Sequence, residues 1–166
     1  MRVGRPIALV ALFVIAMTAG WWFFNHRTSS AGDRITVYYT KIDGSTEVPW
    51  TVSLGPARDP KSVAFYAATQ AIAGPPAGTD AVRFPPGTRV LAVTINGSTV
   101  DVDISKEVSG LRGGSFAEAA AFKSLVWTMT ALPSISSVTI RVDGARIPTL
   151  PGGHFELDEP LARSSW

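Results

Sequence analysis

The sequence predicts an α+β fold, a two-layer sandwich in which two helices pack on one face of a mainly antiparallel or mixed sheet. Three observations predict it. Residues 98–104 alternate, with Val100, Val102 and Ile104 on one side and Thr99, Asp101 and Asp103 on the other, so one sheet face is buried and the other meets water. Two further segments repeat apolar residues at helical spacing. Turn signals, Asn96-Gly97 above all, separate the extended runs at hairpin distance.

Taken in order, residues 35–40 are β-branched and aromatic and read as a strand. Asp43-Gly44 marks a turn, and residues 48–54 return as the partner. Pro49 cannot donate to a ladder, which confines that return to an edge or to the strand's first residues. Asp59 before Pro60 opens a helix, because the carboxylate can accept a free N–H and proline's missing donor is not needed in the first turn. The helix runs to Ala73 and ends at Gly74, which tolerates a left-handed cap. Residues 75–87 are a proline- and glycine-rich connection. Residues 89–95 and 98–104 form a hairpin about Asn96-Gly97, whose two residues take the positive-φ positions of the turn. Ser115 and Glu118 stand at capping-box spacing. The helix they open carries Phe122, Leu125, Val126, Met129 and Leu132 on one stripe, and Pro133 stops it. Residues 138–142 are the next strand, closed by Asp143-Gly144, and residues 151–157 are read as a short last strand.

Several short motifs recur here in a fixed order: Val37-Tyr-Tyr39, the helix 63–73 ending in Ala73-Gly74-Pro75, Phe84-Pro-Pro-Gly-Thr88, Val100-Asp-Val-Asp-Ile-Ser105, Trp127-Thr-Met-Thr130 and Val138-Thr-Ile-Arg-Val-Asp-Gly144. Together they resemble a GerMN domain, the module of sporulation and spore-germination proteins and of many extracytoplasmic lipoproteins. The resemblance covers residues 34–160, and this chain carries one copy. It implies a topology similar to the ring-building modules of secretion-type assemblies. It also implies envelope protein partners, in a homo- or hetro-oligomeric ring, and a role in an envelope complex of the sporulation or germination kind.

Composition bounds the alternatives. The part after residue 33 is the usual size of one domain and can support its own core. Cysteine is absent, which excludes disulfides, thiol catalysis, Cys-based zinc sites and a lipidated cysteine. Attachment to a membrane then falls to the protein itself. Residues 7–24 contain no charge, at ~1.5 Å per residue they span about 27 Å, and Arg2 and Arg5 precede them. Trp21 and Trp22 lie at the outer end. Residues 1–24 are therefore expected to be an uncleaved, single-pass signal-anchor, with residues 25–33 a polar linker and residues 161–166 a loose tail. The alternative is a signal peptide cleaved after Ala31, with Ser29 at −3. The domain faces outward from the cytoplasm in either case.

Net charge is +2, from 15 basic and 13 acidic residues. Arg2, Arg5 and Arg27 all precede the first acid, Asp33, so 12 basic residues face 13 acids beyond them and the domain is near neutral. Without a basic stripe, nucleic acid is not an expected partner.

The chemistry-bearing residues are sparse. His26 lies in the linker and His154 in a glycine-rich turn, where no rigid element makes them converge on a metal or a proton. Asp101 and Asp103, at i and i+2 on a strand, have Cβ atoms roughly 6–7 Å apart, a separation similar to that of glycosidase carboxylates. The alternation favours a solvated strand face instead. Gly113-Gly114 frees the chain to enter a helix, and no serine lies in a nucleophile elbow. No enzymatic activity, cofactor or metal is expected. Trp50, on an edge strand, is the candidate contact residue, with packing under residues 56–60 as the alternative. Asp101 and Asp103 complete the candidate interface. The reading is a membrane-anchored extracytoplasmic protein–protein interaction domain. The rival is a secreted or periplasmic domain that binds glycan or a small molecule.

Overall fold

The β-branched run gives strand β1 (Arg34–Thr40), and residues 41–46 turn it back antiparallel into β2 (Glu47–Ser53), with Arg34 opposite Ser53 and Thr40 opposite Glu47. Asp43 builds the turn: its Oδ1 accepts the N–H groups of Ser45 at 2.9 Å and Thr46 at 3.0 Å. Ile35, Val37 and Tyr39 alternate into the core. Pro49 lies opposite Tyr38, whose own N–H points the other way, to Thr128 Oγ1 at 2.9 Å. The two residues are therefore a non-hydrogen-bonded pair, and the donor that proline lacks would have faced the open edge.

Asp59 is extended and accepts the Ser62 N–H at 2.9 Å, with Pro60 in the first turn of helix α1 (Pro60–Ala73). The helix ends at Gly74, which has φ 86°. Its buried face is mostly alanine (Ala64, Ala67, Ala68, Ala71, with Ile72), and so small a face lets it approach the neighbouring elements closely.

Strands β3 (Val90–Asn96) and β4 (Thr99–Ile104) pair antiparallel with Asn96 opposite Thr99. The turn residues are therefore Gly97-Ser98, one position beyond the Asn96-Gly97 centre expected from the sequence. Of these only Gly97 has a positive φ, 62°, the arrangement of a turn with glycine at its first central position. Leu91 is the extra residue of a bulge, since Val90 faces Ile104 and Ala92 faces Asp103. Strict alternation would place Leu91 inward with Val93 and Ile95. The bulge gives that place to Val90 and turns Leu91 out, 45% exposed.

Helix α2 (Gly114–Met129) buries Phe122, Leu125, Val126 and Met129 completely. Its N-cap is Gly113, at φ 111°, and no side chain caps it. The expected Ser115–Glu118 capping box does not form, because Ser115 already lies inside the first turn. Strand β5 (Ser137–Val142) then pairs parallel to β4, with Thr99 opposite Ser137 and Ile104 opposite Val142, giving a mixed sheet ordered β3-β4-β5. Asp143 and Gly144, at φ 47° and 79°, turn the chain so that Ala145 bridges Val142.

The α+β class with two helices and antiparallel and mixed strands is as the sequence predicts. The strands divide, however, into two sheets, β1-β2 and β3-β4-β5, rather than one. The division has a visible cause. The edge of β1 away from β2 is taken by the Thr128 hydroxyl and, at Thr40 O, by the Val82 N–H at 2.9 Å. Helix and loop stand where another strand would pair. A single hydrophobic cluster still joins both sheets to both helices.

Among the described residues no strand forms over 151–157. The N–H groups of His154 and Phe155 that a ladder would need go instead to a carboxylate on α2, and the Leu157 N–H goes to Pro148 O at 2.7 Å. The closing bridge comes later, at Leu161 against Val138. This computed structural model describes residues 17, 18, 33–151 and 153–166. Residues 34–166 form one unit and residues 1–33 another. The span expected over residues 7–24 lies outside the described residues apart from Met17 and Thr18. Among the described residues no helix is long and apolar enough to cross a membrane.

Candidate interaction surface

The three residues singled out from the sequence lie in two places. Trp50 is on β2, opposite the buried Val37, and is 45% exposed at the rim of the core. Asp101 and Asp103 lie on the central strand β4 of the other sheet, on the face away from the core, and both are half-buried. Asp101 Oδ2 accepts from Asn96 Nδ2 at 3.3 Å and stands 3.9 Å from an Arg141 nitrogen on β5. Asp103 Oδ1 accepts the Gly144 N–H at 2.8 Å and so holds the turn after β5. Each carboxylate thus has a partner in the sheet itself. They bind turns and neighbouring strands, and no acid/base partner stands beside either.

Other titratable groups follow the same pattern. Burial pushes the Tyr39 phenol above its ordinary range, partly offset by the charge of Arg83, and its hydroxyl donates to Gln70 O at 3.2 Å. The N–H groups of Ser45 and Thr46 hold Asp43 below the usual carboxylate range. Ser62 does the same for Asp59, and the Ser105 side chain for Glu107. The three carboxylate shifts come from hydrogen bonds in turns and at helix starts, and the Tyr39 shift from burial in the core. Among the described residues no group of three or more His, Cys, Asp or Glu could hold a metal.

Three constellations escaped sequence reasoning. Glu118 is 5% exposed, and its Oε2 accepts the N–H groups of His154 at 3.1 Å and Phe155 at 3.3 Å. Gly153 presses so close that a Cβ there would lie 2.6 Å from Glu118 Oε2. Lys123 on α2 pairs with Glu47 on β2 at 2.6 Å, and both side chains are nearly covered. Third, the Trp127 ring meets Tyr38 edge-on, with ring centres 5.9 Å apart, and lies under two cations. These are Arg163, 4.6 Å from the Trp127 ring centre and 5.5 Å from that of Tyr38, and Lys123, 5.6 Å from Trp127. Only the placement of the helix against β1 and the last residues brings these groups together. No spacing in the sequence signals it.

Of the exposed large apolar side chains, Ile42, Trp50 and Phe116 lie on or beside the β1-β2 hairpin, while Phe65, Leu91 and Trp166 lie on other elements. Ile42, in its loop, is 61% exposed, and Phe116, at the start of α2, is 57% exposed. The tip of the Phe116 ring presses on Gly44 of the same loop, where a Cβ would fall 2.5 Å from Cζ. Lys123 Nζ donates to Gly44 O at 3.3 Å, which ties that loop to α2. Such a patch can bury apolar area against a partner, whereas nothing in it converges on a small molecule.

A model of the Germane family, described as sporulation and spore germination, matches residues 36–148. Among solved structures, the tandem GerMN domains of the sporulation protein GerM from Bacillus subtilis match at 26% identity with a TM-score of 0.63, over 80% of this chain and 47% of that one. The first GerMN domain of the same protein matches at 26% identity with a TM-score of 0.62, over 79% of this chain and 98% of that one. The chain therefore spans about half the tandem structure and nearly all of the single domain. No curated protein matches it.

Proposed function

The chain belongs to the Germane family of sporulation and spore germination domains, and from that membership we propose that it is a membrane-anchored, extracytoplasmic interaction domain, a component or assembly factor of an envelope complex. The role is non-enzymatic. Residues 7–24 supply a single-pass anchor and residues 34–160 the docking module, which assembles with other envelope proteins in a homo- or hetero-oligomeric ring.

The observation that carries the reading is the apolar surface of the β1-β2 hairpin. Ile42, Phe116 and Trp50 are exposed, whereas Asp101 and Asp103 are engaged by groups of their own sheet. Aromatic anchors at a polar rim are what protein interfaces use for affinity. The test is crosslinking in cells from a photoreactive residue placed at Ile42 or Trp50 of the full-length chain, followed by membrane fractionation. A discrete high-mass adduct in the membrane fraction is expected. A soluble, shortened monomer without an adduct would refute both the anchor and the interaction.

A further inference from the structure

Every outer strand edge of this domain is obstructed, each in a different way. On β2 the obstruction is Pro49, on β3 the bulge at Leu91. Strand β5 has neither proline nor bulge, and the chain covers it with its own later residues. The Val138 N–H donates to Leu161 O at 2.8 Å, and the Leu161 N–H donates to Val138 O at 2.8 Å. At the far end Val142 pairs in the same way with Ala145, at 2.9 and 3.0 Å. Alternation along a strand makes Ile140 the third outward-facing residue, midway between them.

Residues 161–166 are fixed on this edge by side chains as well. Leu161 is buried, and two residues on Arg163 enters a slot built for a guanidinium. Trp127 and Tyr38 supply the aromatic faces; Arg163 Nε donates to Thr130 Oγ1 at 3.0 Å and an Nη donates to Trp127 O at 3.2 Å. No carboxylate is used. The slot therefore selects a planar cation that can stack and donate at once, which arginine does and lysine does not. Trp166 stacks on Phe155 with ring centres 5.8 Å apart. Between the fully buried Leu157 and Leu161 run Asp158, Glu159 and Pro160, all exposed. An Arg146 Nη donates to Asp158 O at 2.7 Å, and beyond that point the strap is held through Leu161, Arg163 and Trp166, so these attachments set how readily it opens.

We propose that the β5 edge and the Trp127 slot form a peptide-binding groove that the chain's own residues 161–166 fill. A protein ligand presenting an extended segment, with leucine followed two residues later by arginine, displaces them. The backbone of the segment adds to β5 as a strand, and the arginine gives specificity. This deepens the interaction-domain reading and rests on it for the existence of such a ligand. The strap is then both a cover and a template of what the groove accepts.

The test uses the full chain truncated after Pro160, solubilised in mild detergent, and a fluorescent synthetic peptide of residues 158–166. The truncated chain is expected to bind the peptide. The intact chain should bind it at least about tenfold more weakly, because its own strap competes. The peptide substitution Arg163→Ala should weaken binding by about tenfold. Equal binding to both chains, or indifference to Arg163→Ala, would overturn the proposal. If truncation unfolds the domain, amide exchange on the intact chain decides instead. The Val138 amide should exchange orders of magnitude faster than the amides of β4, whereas equal rates would show a strap that never opens alone. Crosslinking from Ile42 or Trp50 reports on a different surface, so failure of the groove and failure of the interaction reading are separable.

Discussion

Replacing Lys123 with methionine should be a damaging change, because this charged residue of α2 is buried against β2. Methionine keeps the length and the apolar stem but removes the charge that faces Glu47 at 2.6 Å. The side chains of Lys123 and Glu47 are only 10% and 13% exposed, so Glu47 would be left almost without water and without its cation. Breaking a buried pair in this way costs about 3–5 kcal/mol. Glu47 lies at the rim, where some solvent reaches it, which places the expected loss at the lower end, about 3 kcal/mol. For a domain of this size that lowers the melting temperature by roughly 10 °C. Urea unfolding followed by circular dichroism at 222 nm measures the loss, and Trp127 is better avoided as a probe because Lys123 sits over its ring. The partner change discriminates. Adding Glu47→Leu to Lys123→Met removes the stranded charge and should restore about 2 kcal/mol, since it is the unpaired group, not the missing pair, that destabilises. A single variant that loses less than about 1 kcal/mol, or a double variant no more stable than the single, would refute the reasoning.

Other expected outcomes follow from the same geometry. Gly153→Ala should cost about 1–2 kcal/mol in urea midpoint, because its methyl would meet a carboxylate that two N–H groups hold in place; an unchanged midpoint would mean that Glu118 moves freely. Leu91→Lys, on the outward side of the bulge, should change stability by less than about 0.5 kcal/mol, whereas Leu125→Ala, fully buried, should cost about 2–5 kcal/mol. Asp43, Asp59 and Glu107 are all held below their ordinary values by hydrogen bonds in the folded state. Their contribution is present above the unfolded-state value and is lost as pH falls through the folded one. Stability should therefore decline on acidification below about pH 4. The double variant Asp43→Asn, Asp59→Asn should show a shallower decline between pH 5 and 3, and identical slopes in variant and parent would exclude these two groups as the cause.

Local signals in the sequence were reliable wherever a local interaction decides the outcome. The Asp59-Pro60 cap, the alternation from Thr99 to Ile104 and the stripe through Phe122 and Met129 are each settled within a few residues. Two misreadings are local, the turn centre one residue late at Gly97-Ser98 and the N-cap at Gly113 rather than Ser115; the others involve a distant competitor. Glu118 has capping spacing, but residues 154 and 155 claim its carboxylate. Those same bonds remove the strand expected over 151–157. The split into two sheets depends on Thr128, a residue whose helical role gives no hint that its hydroxyl closes a strand. Of the candidate interface, the exposure of Trp50 and the outward face of Asp101 and Asp103 were legible from period and edge position. The Arg163 slot was not, because two aromatic rings, a hydroxyl and a carbonyl converge on it from different elements.

The hydrogen bond from Tyr38 to Thr128 spans 90 positions of the chain, and it bears on the order in which the domain can assemble. The β1-β2 hairpin is the first part of the domain to be synthesised and can close by itself. It cannot become native by itself, since one edge of β1 waits for a helix made much later. Strand β5 in turn can join β4 in parallel only after α2 has been laid down between them. Contacts of such long range slow folding and prolong the exposure of unfinished surface. A nascent chain stalled before Thr128 would therefore hold a hairpin with an open inner edge and an uncovered apolar face, a natural substrate for a chaperone.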